Sequence, residues 1–94
     1  MVIIMKFIGS FRNALGKDKL VINSKGKLPL RKAINEITEE LPKLKKVLID
    51  PELEDPRPNT LILVNGKEIS ALNGLDTMLK DDDEVVFIPV VHGG

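Results

Sequence analysis

The sequence predicts an α+β roll in which one main helix lies across a mixed sheet of about five strands. Three observations carry that expectation. Apolar, β-branched runs sit near both ends of the chain, at residues 2–8 and 84–90. Between them Leu30, Ile34, Ile37 and Leu41 recur at helical spacing. Asn65-Gly66 lies between two short runs of strand character, which is the strongest short-range hairpin signal a sequence offers.

Taken in order, residues 2–8 carry one charge, Lys6, and if Lys6 faces water then Ile3, Met5 and Phe7 face the core by the two-residue period. Residues 9–19, with Asn13, Gly16 and Asp18, read as a turning segment. Leu20, Val21 and Ile22 follow as a second short strand able to pair with the first, and residues 23–26 end it. The helix starts near Pro29, a residue suited to a first helical turn, and sets Arg31, Lys32, Glu36, Glu39 and Glu40 opposite its apolar stripe. Pro42 can open a second short helical turn through Leu44, Val47 and Leu48, with Lys43, Lys45 and Lys46 forming a solvated face.

Residues 50–59 contain Pro51, Pro56 and Pro58 and have no periodicity, so they form a surface loop. Residues 60–64 are a strand that returns through the Asn65-Gly66 hairpin into residues 67–69, and residues 72–79 suggest a short helical turn. Residues 84–90 are the last strand. One helix covering one face of such a sheet is packed most economically as a β-grasp roll. The first and last strands, the most apolar, are then parallel neighbours at its centre.

Composition narrows the chemistry. A chain of 94 residues is long enough for one modest core, so residues 1–90 are expected to form the domain and residues 91–94 a flexible tail. Lys and Arg number 14, as do Asp and Glu, which removes the basic excess expected of a nucleic-acid or anionic-membrane partner. Phe7, Phe11 and Phe87 are the only aromatic residues, so base-stacking platforms are not expected either. The absence of cysteine excludes a disulfide framework and a thiol nucleophile, and favours a cytoplasmic location. The first apolar run is too short for a membrane span and lacks the basic region of a signal peptide.

Catalytic machinery is equally scarce. His92, the single histidine, lies in the tail segment, where neither a Ser-His-Asp triad nor a histidine metal site has a scaffold. No glycine-rich phosphate cradle is visible, so no cofactor is expected to bind this chain. Asp81, Asp82, Asp83 and Glu84 are consecutive and point in divergent directions, which suits a solvated turn better than a cation site.

The remaining reactive asset is the carboxylate of Gly94. Lacking side chains, Gly93 and Gly94 can lie extended in a slot too narrow for a β-carbon. From Val90 the tether reaches about 13 Å at ~3.3 Å per residue, enough to enter another protein's active site. A free carboxylate is a poor electrophile, so acyl transfer from it requires activation by a partner that supplies ATP and magnesium.

Three segments carry a family resemblance that covers nearly the whole chain. Met5-Lys6-Phe7-Ile8-Gly9-Ser10-Phe11-Arg12-Asn13-Ala14-Leu15-Gly16 resembles the opening of MoaD-type proteins, a strand leading into an Arg-containing helical turn closed by Gly. Leu63-Val64-Asn65-Gly66-Lys67-Glu68-Ile69 and the segment from Leu75 through the acidic turn, Pro89 and His92-Gly93-Gly94 resemble the second half of the same MoaD/ThiS-type ubiquitin-like sulfur carriers. The chain departs from the family pattern at Asp82, where Gly is usual, and at Val90, where a second Pro is frequent.

The resemblance implies a β-grasp, ubiquitin-like fold and a chain that is a substrate rather than an enzyme. An adenylating partner of the MoeB/ThiF kind would activate Gly94, and a sulfur donor would convert it to a thiocarboxylate. The sulfur would pass to a molybdopterin precursor or to transfer RNA, or the activated group would acylate a lysine of a target protein. One alternative is the non-catalytic small subunit of molybdopterin synthase, MoaD, inserted into a MoaE-like partner. Another is an interaction domain with an inert tail. The terminal His-Gly-Gly is more similar to the ubiquitin-related modifiers of transfer-RNA thiolation, and thiamin synthesis is the least favoured branch.

Strand alternation also predicts a docking face. If Met5, Phe7, Val85 and Phe87 face the helix, then Ile4, Ile8, Val86 and Ile88 emerge on the other side of the sheet, flanked by Lys6 and Glu84. With Pro89, Val90, Val91 and His92 at the tail root, these residues form the expected partner surface, unless residues 50–59 or a second copy of the chain cover it.

Overall fold

Alternation in the first run places its residues on two faces, as expected. The structure, a computed structural model, describes residues 1–90. In β1 (Val2–Phe7), Ile3, Met5 and Phe7 are buried while Lys6 is exposed. A turn returns the chain antiparallel along β1 as β2 (Lys19–Asn23), in the register Ile4 to Val21 and Met5 to Leu20. The turning segment expected at residues 9–19 contains a helix, α1 (Ser10–Leu15). Its only buried side chain is Phe11, too little apolar surface to leave a periodic signature.

A two-residue strand, β3 (Leu28–Pro29), leads into α2 (Leu30–Glu40). Pro29 therefore stands one step before the first helical turn, in an extended conformation at the N-cap and paired with Met78. The stripe of α2 is as periodic as expected: Leu30, Ala33, Ile34 and Ile37 are buried, and the charged residues between them are exposed. Pro42 opens α3 (Pro42–Leu48), which buries Leu44 and Leu48 but leaves Val47 38% exposed, outside the apolar stripe assigned to it.

β4 (Thr60–Val64) turns through Asn65, whose φ of +50° suits this hairpin, into β5 (Lys67–Glu68). β5 is shorter than expected because Ile69 turns inward and is buried as the start of a 3₁₀ turn, Ile69–Ala71. The helical turn expected at residues 72–79 is a single 3₁₀ turn, Gly74–Asp76, and Met78–Leu79 form β6, antiparallel to β3.

β7 (Glu84–Pro89) closes the sheet, whose order is β2-β1-β7-β4-β5. β1 and β7 run parallel and β4 runs antiparallel to β7, so the sheet is mixed and β7 is its centre. Phe7 and Phe87, in register across β1 and β7, stack with ring centroids 4.9 Å apart and planes 7° from parallel. They share one core with Met5, Val85, Ile62 and the buried residues of all three helices. This is the β-grasp arrangement, with helices on one face of a five-stranded mixed sheet.

Candidate functional site

The last strand leaves the sheet at its centre, and its exit is held by the backbone. The Val90 N–H donates to the Asn59 carbonyl at 2.9 Å, one residue past the Thr60 to Pro89 pair that ends the β4 ladder. On the β1 side the Ile8 N–H donates to the Phe87 carbonyl at 3.1 Å. The chain is thus held up to Val90 on the β4 side and up to Phe87 on the β1 side. Val91, His92, Gly93 and Gly94 lie outside the described residues.

On the face opposite the helices, Ile4, Val86 and Ile88 alternate with the buried Met5, Val85 and Phe87 and are half-buried. Pro89 is half-buried, whereas Ile8 and Val90 are exposed, at 47% and 42%. Lys6 and Glu84 meet on the same face as an ion pair at 3.0 Å, both still wet. Such a pair adds at most about 1 kcal/mol. Its consequence is local: neither charge lies free between Ile4 and Val86.

The register enlarges this surface beyond the residues read from sequence. Leu61 lies beside Ile88, Leu63 beside Val86 and Val21 beside Ile4. Leu61 and Leu63 are half-buried and Val21 is exposed. Their signal was ambiguous, because residues 60–64 are apolar at four successive positions and alternation cannot tell which face is which. Apart from Asn59, the 50–59 loop is directed elsewhere: Pro51, Glu54 and Pro56 line a concavity with Ile34, Thr38 and Lys45 on α2 and α3.

The acidic turn beside this face is spent on the fold. Asp81 Oδ1 accepts the Val2 N–H at 2.6 Å. Asp83 Oδ1 accepts from Asn65 Nδ2 at 2.8 Å and its Oδ2 from the Lys80 N–H at 2.7 Å. Asn65 Oδ1 in turn accepts the Glu84 N–H at 2.9 Å, tying the hairpin to the start of β7. Asp82 takes φ +67°, which explains why glycine suits this position. Among the described residues no group of three or more His, Cys, Asp or Glu is placed to hold a metal ion.

Outside this face one carboxylate is perturbed. The guanidinium of Arg57, hydrogen-bonded to the Asp55 side chain, holds that carboxyl below its ordinary value despite partial burial, and Asp55 in turn raises Arg57. The pair ties Arg57 to Asp55 within the 50–59 loop. No helix among the described residues is long and apolar enough to cross a membrane.

Comparison with known proteins agrees with this architecture. Ubiquitin-related modifier 1 of Bos taurus is 44% identical over 48 residues, which are 47% of this chain and 48% of that protein. The chain thus spans about half the length of the curated relatives it matches. The solution structure of small archaeal modifier protein 1 from Methanosarcina acetivorans superposes with a TM-score of 0.83 at 32% identity, covering 99% of this chain and 96% of that one. The crystal structure of SAMP1 from Haloferax volcanii, at 17% identity, shares the fold over the full length of both chains with a TM-score of 0.84. The profile of the ThiS family matches residues 5–94, and the chain belongs to that family of ubiquitin-like sulfur carriers and small modifiers.

Proposed function

We propose that the chain carries an activated acyl group at the main-chain carboxylate of Gly94, with residues 1–90 as the folded grip and residues 91–94 as the tether. The carrying observation is that β7, at the centre of the sheet, brings the chain to Val90 beside a half-buried apolar face. An adenylating enzyme of the MoeB/ThiF kind supplies ATP and magnesium. The Gly94 carboxylate attacks the α-phosphorus and releases pyrophosphate. A sulfur nucleophile then displaces AMP to leave a thiocarboxylate, or a lysine amine of a target protein displaces it to leave an isopeptide.

The enzyme docks on Ile4, Val86, Ile88, Leu61 and Leu63, with Ile8, Pro89, Val90, Val91 and His92 leading the tail into its site. The destination of the sulfur, a molybdopterin precursor or transfer RNA, is set by the partner that receives it, a MoaE-like synthase subunit being one. Intact mass after incubation with the activating enzyme, ATP and sulfide tests the reading. The expected product has sulfur in place of one carboxylate oxygen, and a chain ending at His92 remains unchanged in mass while melting at the same temperature. Sulfur uptake by that shortened chain contradicts the proposal.

A further inference from the structure

The two edges of the sheet are unequal. β5 offers two residues, whereas β2 offers five and among the described residues has β1 as its only strand partner. The Phe7 N–H bonds the Asp18 carbonyl and the Ser24 N–H bonds the Met1 carbonyl, each at 2.9 Å. In an antiparallel ladder hydrogen-bonded pairs alternate, so Leu20 and Ile22 also bond inward to β1. The N–H and C=O groups of Lys19, Val21 and Asn23 consequently point off the sheet. Val21, at the middle of this row, is 55% exposed.

The edge is strongly signed. Residues 17–27 hold Lys17, Lys19, Lys25 and Lys27 against Asp18 alone. None of the four lysines takes part in an ion pair among the described residues, although Lys6, next to Lys19 in the register, is paired with Glu84. Lysines at an edge oppose self-pairing. A second copy added antiparallel about Val21 would set Lys17 against Lys25 of that copy, like charge against like.

From these features we propose that β2 is a strand-addition site for an extended acidic segment of a partner protein, with an apolar residue beside Val21 and carboxylates beside the flanking lysines. Main-chain hydrogen bonds to Lys19, Val21 and Asn23 supply the affinity, and the lysines select the sign of the partner. None of the residues invoked belongs to the tail, so a chain ending at His92 is expected to bind as the full chain does; this also separates its failure from failure of the carrier reading.

The probe is the peptide acetyl-Glu-Asp-Val-Ile-Val-Asp-Glu-amide added to the full chain, read by amide hydrogen exchange and titration. Slowed exchange at Lys19, Val21 and Asn23, with affinity falling as salt rises, is the expected result. Val21→Pro removes the outward N–H together with the valine side chain, at a position where edge strands tolerate proline. It should weaken binding at least about tenfold, a loss of ~1.4 kcal/mol, with the fold retained. Should Val21→Pro unfold the chain, an N-methylated version of the peptide takes its place and must fail to bind. No binding at millimolar peptide, binding indifferent to Val21→Pro or N-methylation, or protection of β2 through dimerisation in sedimentation each overturns the proposal.

Discussion

Gly9 and Pro89 meet where β1 gives way to α1 and β7 gives way to the tail. A Cβ built on Gly9 would stand 3.2 Å from Pro89 Cγ, and Gly9 holds φ +62° and ψ −131°. Only glycine takes those angles without strain and leaves room for the proline ring. The helical turn of the first half thus packs directly on the root of the tail.

Gly9→Ala should therefore cost about 1–3 kcal/mol of folding stability, the penalty of a sparsely populated backbone conformation plus a tight contact. Urea unfolding measures it. An unchanged midpoint would show that Pro89 moves aside freely and that Gly9 is not holding the tail root.

Asp82 offers the reverse case. Its φ of +67° is unfavourable for a side chain, and glycine removes that cost while adding freedom to the unfolded chain. The conformational gain exceeds the entropic loss by roughly 0.5 kcal/mol, so Asp82→Gly should raise the thermal midpoint by about 2–4 °C. A fall of that size would mean the Asp82 carboxylate makes a stabilising interaction of its own.

Asp55 gives the domain an acid-side dependence. Its folded-state pKa is lowered, chiefly by the Arg57 hydrogen bond. Its contribution is therefore complete above the unfolded value of about 4 and is lost as pH falls through the lower folded value. The Arg57 side chain is 53% exposed, so solvent screening holds the effect to less than about 1 kcal/mol. Asp55→Asn should flatten the stability profile below pH ~4 and leave the relative slope above it unchanged, as measured by unfolding in a pH series.

Ile88→Asp tests the open face. The side chain points away from Phe87 and the core, beside Leu61, so the charge stays in contact with water and the fold survives. Adenylation of Gly94 by the activating enzyme should slow at least about tenfold, or ~1.4 kcal/mol, through weaker docking. Pyrophosphate release reads this directly. Full activity in a folded Ile88→Asp chain would move the docking surface elsewhere.

Local sequence determined the elements whose pattern is long and one-sided. The stripe Leu30, Ile34 and Ile37 defines α2, the alternation Ile3, Met5 and Phe7 defines β1, and Asn65-Gly66 defines a hairpin, because each is a short-range preference repeated several times. The parallel pairing of β1 and β7 followed from their apolar character. What tertiary structure alone decided is where pattern is absent or two-sided. α1 exists because Phe11 finds the core, β3 and β6 exist because Pro29 meets Met78, and Leu61 and Leu63 face outward because Ile62 and Val64 are the pair that reaches the helices. In a run apolar on both faces, side-chain chemistry gives no sign of direction. That is set only when the neighbouring strand fixes the register and the helices take one side of the sheet.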